Sequence, residues 1–249
     1  MEGGNFLKNS QIIILGICIA VATIVSSVIL SGGFLKVIKF TREQISVTGS
    51  ATKEIKSDYM TWMGTIVKRD VDLKAAYKNL REDLEKTRLY LFSKDITEKE
   101  LIIHPVFTET VYKKNEKGND TNDIQGYRLT QALEIRSDEV DKVTKIARES
   151  TELIDQGIQF ESHQPEYFYK KLDELKLEML AKSTENAKQR AENMAKATGN
   201  KIGFMRSAKM GVFQITPVTS TDVSNWGTND TTSLDKKVMS VVTVSFAIE

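Results

Sequence analysis

The amino-acid sequence predicts an α+β fold, a mainly antiparallel sheet with helices packed on one face, preceded by one transmembrane helix. Three observations predict it. An uncharged apolar segment lies near the N-terminus, and 40% of the 249 residues are hydrophobic, enough for a sizeable core in residues 43–249. Segments with strand or helix periodicity follow the order ββ-α-ββ-α-β-α-ββ, in which strands without a helix between them favour antiparallel pairing.

The N-terminal apolar segment covers residues 12–35, a stretch of 24 residues with no charge and 17 apolar side chains. As a helix it would be roughly 36 Å long, more than the ~30 Å hydrocarbon core of a bilayer. We therefore expect a transmembrane anchor in contact with membrane lipid, between a short segment 1–11 and a juxtamembrane linker 36–42. A cleavable signal peptide is the alternative, but its apolar region is usually about 7–15 residues long, which favours a retained anchor.

One face of this anchor carries small residues at spacings of four, three, four and four. They are Gly16, Ala20, Thr23, Ser27 and Ser31. Such a stripe lets two membrane helices approach closely, so Gly16, Ala20, Thr23 and Ser27 are candidate oligomer contacts. The alternative is that small residues are simply common in membrane helices.

The overall charge and the cysteine count exclude several classes of partner. Lys and Arg number 35 against 34 Asp and Glu, so there is no basic excess of the kind that binds nucleic acid. The one cysteine, Cys18, excludes a disulfide framework and a thiolate metal cluster. The glycine-containing segments 31–33 and 47–50 lack the spacing and the lysine of a P-loop. We therefore expect no nucleic acid, no nucleotide, no metal and no other cofactor.

The predicted domain begins with two strands and a helix. Apolar and polar residues alternate in Gln44–Lys53 and Tyr59–Lys68, and we expect these strands to pair as a hairpin. A helix starting at Asp70 or Asp72 continues to about Ser93. Its inward face should carry Leu73, Tyr77, Leu80, Leu84 and Leu91.

The middle of the domain is predicted to be a second pair of strands and a second helix. Strands Leu101–Tyr112 and Gln125–Arg136 flank a loop at 113–123 that is too polar to be buried. Ser137 is the expected N-cap of the helix, and Gly157 the residue that closes it. The residues expected to face inward are Val140, Val143, Ala147 and Ile154.

The last third contains a short strand, the longest helix of the domain and two final strands. The strand lies near Ile158–His163, and the helix covers Phe168–Thr198 with Gly199 as its C-cap. The final strands are Gly203–Ile215 and Val238–Ile248. The inward residues of the helix should be Leu172, Leu175, Met179, Ala187, Ala191 and Met194.

All three prolines, Pro105, Pro165 and Pro217, fall in or beside strands. Because proline has no backbone N–H, each should mark a sheet edge, a bulge or a strand end. The segment Thr219–Asp235 contains eight Ser and Thr residues and is expected to be a long loop, a type of element that is often functional. Within it Trp226 either folds back as a plug, the favoured interpretation, or is an oligomer contact that anchors a neighbouring subunit.

The sequence contains no recognisable catalytic constellation. The two histidines, His104 and His163, lie in strand-like segments beside prolines, and no G-x-S-x-G motif occurs. We therefore expect no catalytic residue and no enzyme. The rival interpretation is a hydrolase at the membrane surface, which would need a concave site where one of these histidines meets a carboxylate.

Two motifs at the ends of the domain resemble a known family. The first is I-S-V-T-G-S-A at residues 45–51, which leads into a second strand. The second is an alanine-containing helix at 181–198 that runs into G-N-K-I-G at 199–203, followed by the closing strand at 240–246. In order and spacing they resemble the SIMPL-domain family, which includes YggE-like and outer-membrane-associated antigen-like proteins.

The resemblance implies an extracytoplasmic α+β domain that self-assembles, has no established catalytic residues and is linked with envelope or oxidative stress. The positive charges after the anchor, Lys36, Lys39 and Arg42, favour a cytoplasmic domain instead, but the resemblance outweighs this bias. We therefore expect a single-pass protein of the bacterial cytoplasmic membrane whose domain lies outside the cytoplasm and forms a closed homo-oligomer. The alternative is a ligand-binding module for envelope components, with a pocket within one monomer.

Overall fold

The computed structural model describes the backbone of residues 3–249 and the side chains of residues 14–34 and 43–249. The helices are α1 (Gly3–Arg42), α2 (Leu73–Ser93), α3 (Val140–Glu149), α4 (Glu152–Asp155) and α5 (Leu172–Ala197). The strands are β1 (Gln44–Lys56), β2 (Tyr59–Asp70), β3 (Leu101–Ile103), β4 (Phe107–Lys114), β5 (Asp120–Ser137), β6 (Phe160–Ser162), β7 (Glu166–Phe168), β8 (Ile202–Met210), β9 (Gln214–Pro217), β10 (Thr228–Asn229) and β11 (Asp235–Ile248). This is the predicted mixture of helices and mainly antiparallel strands after an N-terminal apolar helix.

The chain divides into two compact units. The first contains the residues up to Ala51 together with Leu180–Gly211 and Val241–Glu249. The second contains Thr52–Met179 and Val212–Ser240.

Helix α1 contains the predicted anchor. Its segment Ile14–Phe34 is long and apolar enough to cross a membrane, a property that a signal sequence shares. Every side chain described in this segment is exposed, so the segment has no packing partner among the described residues. The side chains of the predicted segments 1–11 and 36–42 lie outside the described residues.

In the first unit a small sheet packs against the second half of α5. The C-terminal half of β11 pairs antiparallel with β8, from Val242 opposite Met210 to Ile248 opposite Ile202, and β1 pairs with β11 as well. The buried core of this sheet and helix consists of Val47, Ala187, Ala191, Val242, Val244 and Phe246.

Strand β1 approaches α5 at Gly49. A Cβ atom at this position would lie 2.2 Å from the carbonyl oxygen of Ser183 and 2.4 Å from the backbone nitrogen of Ala187. Both are backbone atoms of a helix and cannot rotate away. Glycine is therefore required in the I-S-V-T-G-S-A segment because the strand touches the helix backbone directly.

The second unit is built on a long antiparallel pair, with β2 opposite β5 from Met60–Ser137 to Asp70–Tyr127. Strands β3 and β4 pair with the free side of β5, and β6 and β7 pair with the free side of β2. Helices α2 and α3 share one core cluster with this sheet and so cover one of its faces. The cluster includes Met60, Trp62, Ile66, Ala76, Leu80, Leu129, Leu133, Ile135, Val140, Val143 and Ile146.

The buried faces of three helices differ in part from the prediction. On α2, Leu80 and Leu91 are buried as predicted, but Leu73 and Tyr77 are exposed. Asp83 is buried in their place because its carboxylate lies 2.6 Å from the ammonium of Lys68 on β2. The predicted inward positions Ile154 and Met194 are also exposed; Leu153 and Ala195 are buried.

The predicted hairpin of the first two strands is wrong. Strand β1 pairs with β11 and β2 with β5, in different sheets. The two residues between β1 and β2 do not close a turn, since the N–H of Ser57 donates to the Leu234 carbonyl and that of Asp58 to the Phe168 carbonyl. Neither residue is the glycine or asparagine that a two-residue hairpin turn favours.

Other boundaries shift around prolines and polar caps. Strand Leu101–Tyr112 is divided into β3 and β4 around Pro105, and Gly203–Ile215 into β8 and β9. Ser137 is the last residue of β5 and not the N-cap of α3, because its hydroxyl donates to Glu100 and accepts from the Glu139 N–H. The expected loop Thr219–Asp235 contains the short strand β10.

Several local signals are confirmed. Asp72 caps α2, its side chain accepting from the Ala75 N–H at 2.8 Å. Gly157 and Gly199 have φ of +79° and +78° after their helices, as C-terminal caps require. All three prolines lie at strand ends, Pro105 and Pro165 next to the strands that form the two edges of the second sheet.

Replacing Gly49 by alanine should destabilise the first unit, because the new methyl group would overlap with backbone atoms of α5. We expect the free energy of unfolding to fall by about 3 kcal/mol. Denaturant unfolding of the full chain in detergent, followed by circular dichroism, measures it. Thr48→Ala, at an exposed position of the same strand, is the control and should change stability by less than about 1 kcal/mol. Equal stability of the Gly49→Ala variant and the wild type would contradict the close approach.

Candidate functional site

The small residues of α1 lie exposed on the anchor. A Cβ atom at Gly16 would have no heavy atom within 4 Å, and the hydroxyl of Thr23 donates to the Ala20 carbonyl at 2.9 Å. Thr23 therefore needs no partner outside its own helix. The structure brings Gly16, Ala20, Thr23 and Ser27 together on one helix but against no other described residue.

Trp226 does not fold back, so its predicted role as a plug is wrong. It is 93% exposed, the most exposed of the large apolar side chains described. The turn is instead held by Gln214 of β9, whose side-chain amide is buried. Its nitrogen donates to the Ser224 carbonyl at 2.6 Å, and its oxygen accepts from the Ser224 N–H and from the Thr228 hydroxyl at 3.2 and 2.8 Å.

The turn that carries Trp226 is closed by further backbone contacts. Gly227 has φ of +86°, and its N–H donates to the Ser224 carbonyl at 3.2 Å. A Cβ atom at Gly227 would lie 2.8 Å from the Phe213 carbonyl oxygen, so a larger residue does not fit. The indole is thus presented on a hydrogen-bonded turn.

Two lysines of β11 hold the rest of the same loop. Lys236 is only 3% exposed, and its ammonium donates to the carbonyls of Tyr167, at 2.6 Å, and Asp230. Burial lowers the pKa of Lys236, and the nearby Asp230 opposes this. The ammonium of Lys237 donates to the carbonyls of Val218 and Ser220 at 3.2 and 2.7 Å. Sequence reasoning missed both lysines and Gln214, because a strand-like segment gives no signal that its polar residues bind a distant loop.

Two exposed apolar side chains precede this turn in the sequence. Val212 precedes β9, and Val223 precedes the turn; both are exposed. A monomer gains nothing from leaving a tryptophan in water, whereas subunit interfaces are enriched in tryptophan.

His104 contacts a carboxylate, as the rival enzyme interpretation requires. Its Nε2 lies 3.0 Å from Oε2 of Glu134, whose Oε1 accepts from Nε of Arg136 at 2.6 Å. The hydrogen bond from Arg136 lowers the pKa of Glu134, more than its partial burial raises it. No hydroxyl or thiol of the described residues is hydrogen-bonded to His104, so the cluster has a base and an orienting acid without a nucleophile.

His163 has the opposite arrangement. Its Nε2 lies 2.9 Å from the hydroxyl of Thr65, and no described carboxylate contacts it. A catalytic triad needs a nucleophile and an acid that contact the same histidine. In the part of the chain that the structure describes, the ring of His104 contacts only a carboxylate and that of His163 only a hydroxyl. Among residues 14–34 and 43–249, no group of three His, Cys, Asp or Glu side chains is arranged to hold a metal ion.

Replacing Glu134 by glutamine should reduce the acid sensitivity of folding. Because the folded-state pKa of Glu134 is lowered, its contribution to stability is present above the unfolded value of about 4.3 and is lost as the pH falls through the folded value. We expect the loss of stability between pH 6 and pH 3 to be about 1 kcal/mol smaller in the variant.

Chemical denaturation of the full chain at several pH values measures this effect. Glu116→Gln, in the exposed turn between β4 and β5, is the matched control and should leave the pH profile unchanged. Parallel profiles for Glu134→Gln and the wild type would show that the Arg136 contact does not stabilise the folded carboxylate.

A family model described as SIMPL, a protein of unknown function (DUF541), matches residues 45–246. The match includes Gly49, α5 and β11 as far as Phe246, and so covers both motifs that resemble the family. No curated protein matches the chain.

Proposed function

Since the chain belongs to the SIMPL family, a family of unknown function, we propose that it is a noncatalytic envelope protein, anchored in the bacterial cytoplasmic membrane, that self-assembles into a closed homo-oligomer. The observation that carries this proposal is the exposed indole of Trp226 on a hydrogen-bonded turn. The turn is ordered before any contact forms, so binding would not have to order it. A link to envelope or oxidative stress rests on the family resemblance alone.

The edge of the second sheet at β4 also supports self-assembly. Strand β4 pairs with β5, and no other described strand pairs with it, whereas at the opposite edge the N–H of Tyr167 on β7 donates to the Thr231 carbonyl. Unpaired edge strands invite pairing with another chain, and a closed assembly covers them without forming a fibre. The small residues of α1 would add contacts between anchors within the membrane.

The two halves of the enzyme alternative are separated, which is why we place catalysis last of the three candidate functions. His104 has an acid and His163 has a hydroxyl, and neither has both. A ligand-binding module is the stronger alternative, because the second unit contains a cavity lined by basic and hydroxyl side chains.

The proposed orientation places the residues after the anchor outside the cytoplasm. Protease added to intact spheroplasts should therefore digest this domain and leave a short membrane-bound fragment that contains 12–35. Immunoblotting against the C-terminus measures the digestion, with a cytoplasmic protein as the control for intact membranes. Full protection that ends only on lysis would place the domain in the cytoplasm.

Replacing Trp226 by alanine should weaken the assembly, because a buried interface tryptophan typically contributes 2 kcal/mol or more, about a 30-fold change in dissociation constant. Sedimentation or native mass spectrometry of the full chain in detergent measures the change. Leu89→Ala, which removes an exposed apolar side chain of α2, is the control and should leave the oligomer intact.

The soluble fragment 40–249 separates the two kinds of contact. If the fragment is monomeric and the full chain is not, the anchors drive assembly, and Gly16→Ile combined with Ala20→Ile should dissociate it. If both are monomeric at micromolar concentration, self-assembly is disproved.

A further inference from the structure

A cavity of about 240 Å³ opens in the second unit. It lies where the C-terminal end of α3 faces the connection between β6 and β7. The residues of its lining that matter here are Thr144, Arg148, Ser162, His163 and Tyr167. The lining contains one arginine and one histidine, and no carboxylate.

Arg148 has no ion-pair partner among the described residues. The carboxylate of the next residue, Glu149, is already paired, since it lies 3.7 Å from the ammonium of Lys145 and 3.1 Å from that of Lys94. The guanidinium of Arg148 therefore keeps all five of its N–H donors for another molecule. A guanidinium fork matches the two oxygens of a carboxylate or phosphate.

His163 adds a second donor to the lining of the cavity. When the Thr65 hydroxyl donates to Nε2, the neutral ring carries its proton on Nδ1, and that N–H is available to a ligand. The position of the ring is fixed by this bond and by the backbone bond from the His163 N–H to the Met63 carbonyl at 2.9 Å.

Hydroxyl groups line the interior of the cavity. The hydroxyls of Thr144 and buried Tyr167 lie 3.2 Å apart, so one donates to the other and the pair keeps one O–H. The Thr144 hydroxyl also lies 3.7 Å from Sδ of Met60. When Thr144 donates to Tyr167, the O–H of Tyr167 is available to a ligand oxygen. The hydroxyl of Ser162 is already used, since it accepts from Nε1 of Trp62 and donates to the Ala147 carbonyl, both at 3.1 Å. Ser162 therefore connects the cavity wall to Trp62 in the core of the unit, and this bond fixes the position of the wall.

We propose that this cavity binds a compact oxyanion, a phosphate or carboxylate group, through Arg148, His163 and the one free O–H of the Thr144–Tyr167 pair. The charge of the lining selects the sign of the ligand, and the free O–H favours one rich in acceptor oxygens. The site lies within one chain, so it does not depend on the proposed self-assembly.

Isothermal titration calorimetry of the detergent-solubilised full chain with inorganic phosphate and, separately, with citrate tests the proposal. We expect saturable binding of one anion per chain at neutral pH. Arg148→Gln should weaken this binding about tenfold, the loss expected when a charge-assisted contact is removed. Saturation by phosphate alone assigns a phosphate-bearing ligand, and saturation by citrate alone assigns a carboxylate.

Lys145→Gln is the matched control, because it removes the same charge from the same helix at a residue that does not line the cavity. It should change the dissociation constant less than about twofold. The proposal is overturned if neither anion saturates the wild type, or if the two variants weaken binding equally, which would indicate general charge attraction.

Discussion

The contact between Gly49 and the backbone of α5 is the constraint on which the first unit depends. A strand that lies this close to a helix leaves no space for side chains between them, so the facing residues of the helix must be small. Ser183, Ala187, Ala191 and Ala195 satisfy this and are all buried. The spacing of four keeps them on one helix face, and the larger core residues Val242, Val244 and Phe246 come from β11. The glycine of the family motif at 45–51 is therefore required by the packing of the strand against the helix.

In the second unit polar side chains stabilise the loop Thr219–Asp235, which the hydrophobic core could not stabilise. The loop Thr219–Asp235 offers few apolar groups, yet Gln214, Lys236 and Lys237 each bind backbone groups of this loop or of a residue beside it. A buried lysine held by carbonyls loses hydration free energy, which the fixed carbonyl dipoles partly restore. The gain is an ordered loop in which an exposed tryptophan has a defined position.

Local signals in the sequence predicted local structure, and tertiary contacts decided the rest. Asp72 and Gly199 were identified because a cap depends on a few neighbouring residues. The false hairpin shows the opposite case, since β1 and β2 are adjacent in sequence but their partners lie far along the chain. Likewise the helical period of α2 could not show that Asp83 is buried in an ion pair with Lys68 of β2. The prediction for Trp226 failed because nothing in the sequence shows that the buried amide of Gln214 holds the turn on which Trp226 is exposed.

The arrangement of the second sheet explains why its polar residues support binding better than catalysis. His104 follows β3 at one edge, and His163 follows β6 at the other, with β5 and β2 between these edges. At about 4.8 Å per strand, three spacings separate the edges by roughly 14 Å. An acid that orients a base must touch the same imidazole as the nucleophile, so Glu134 cannot assist a reaction at His163. A binding site has no such requirement, because Arg148 and His163 attract an anion without any proton transfer between them.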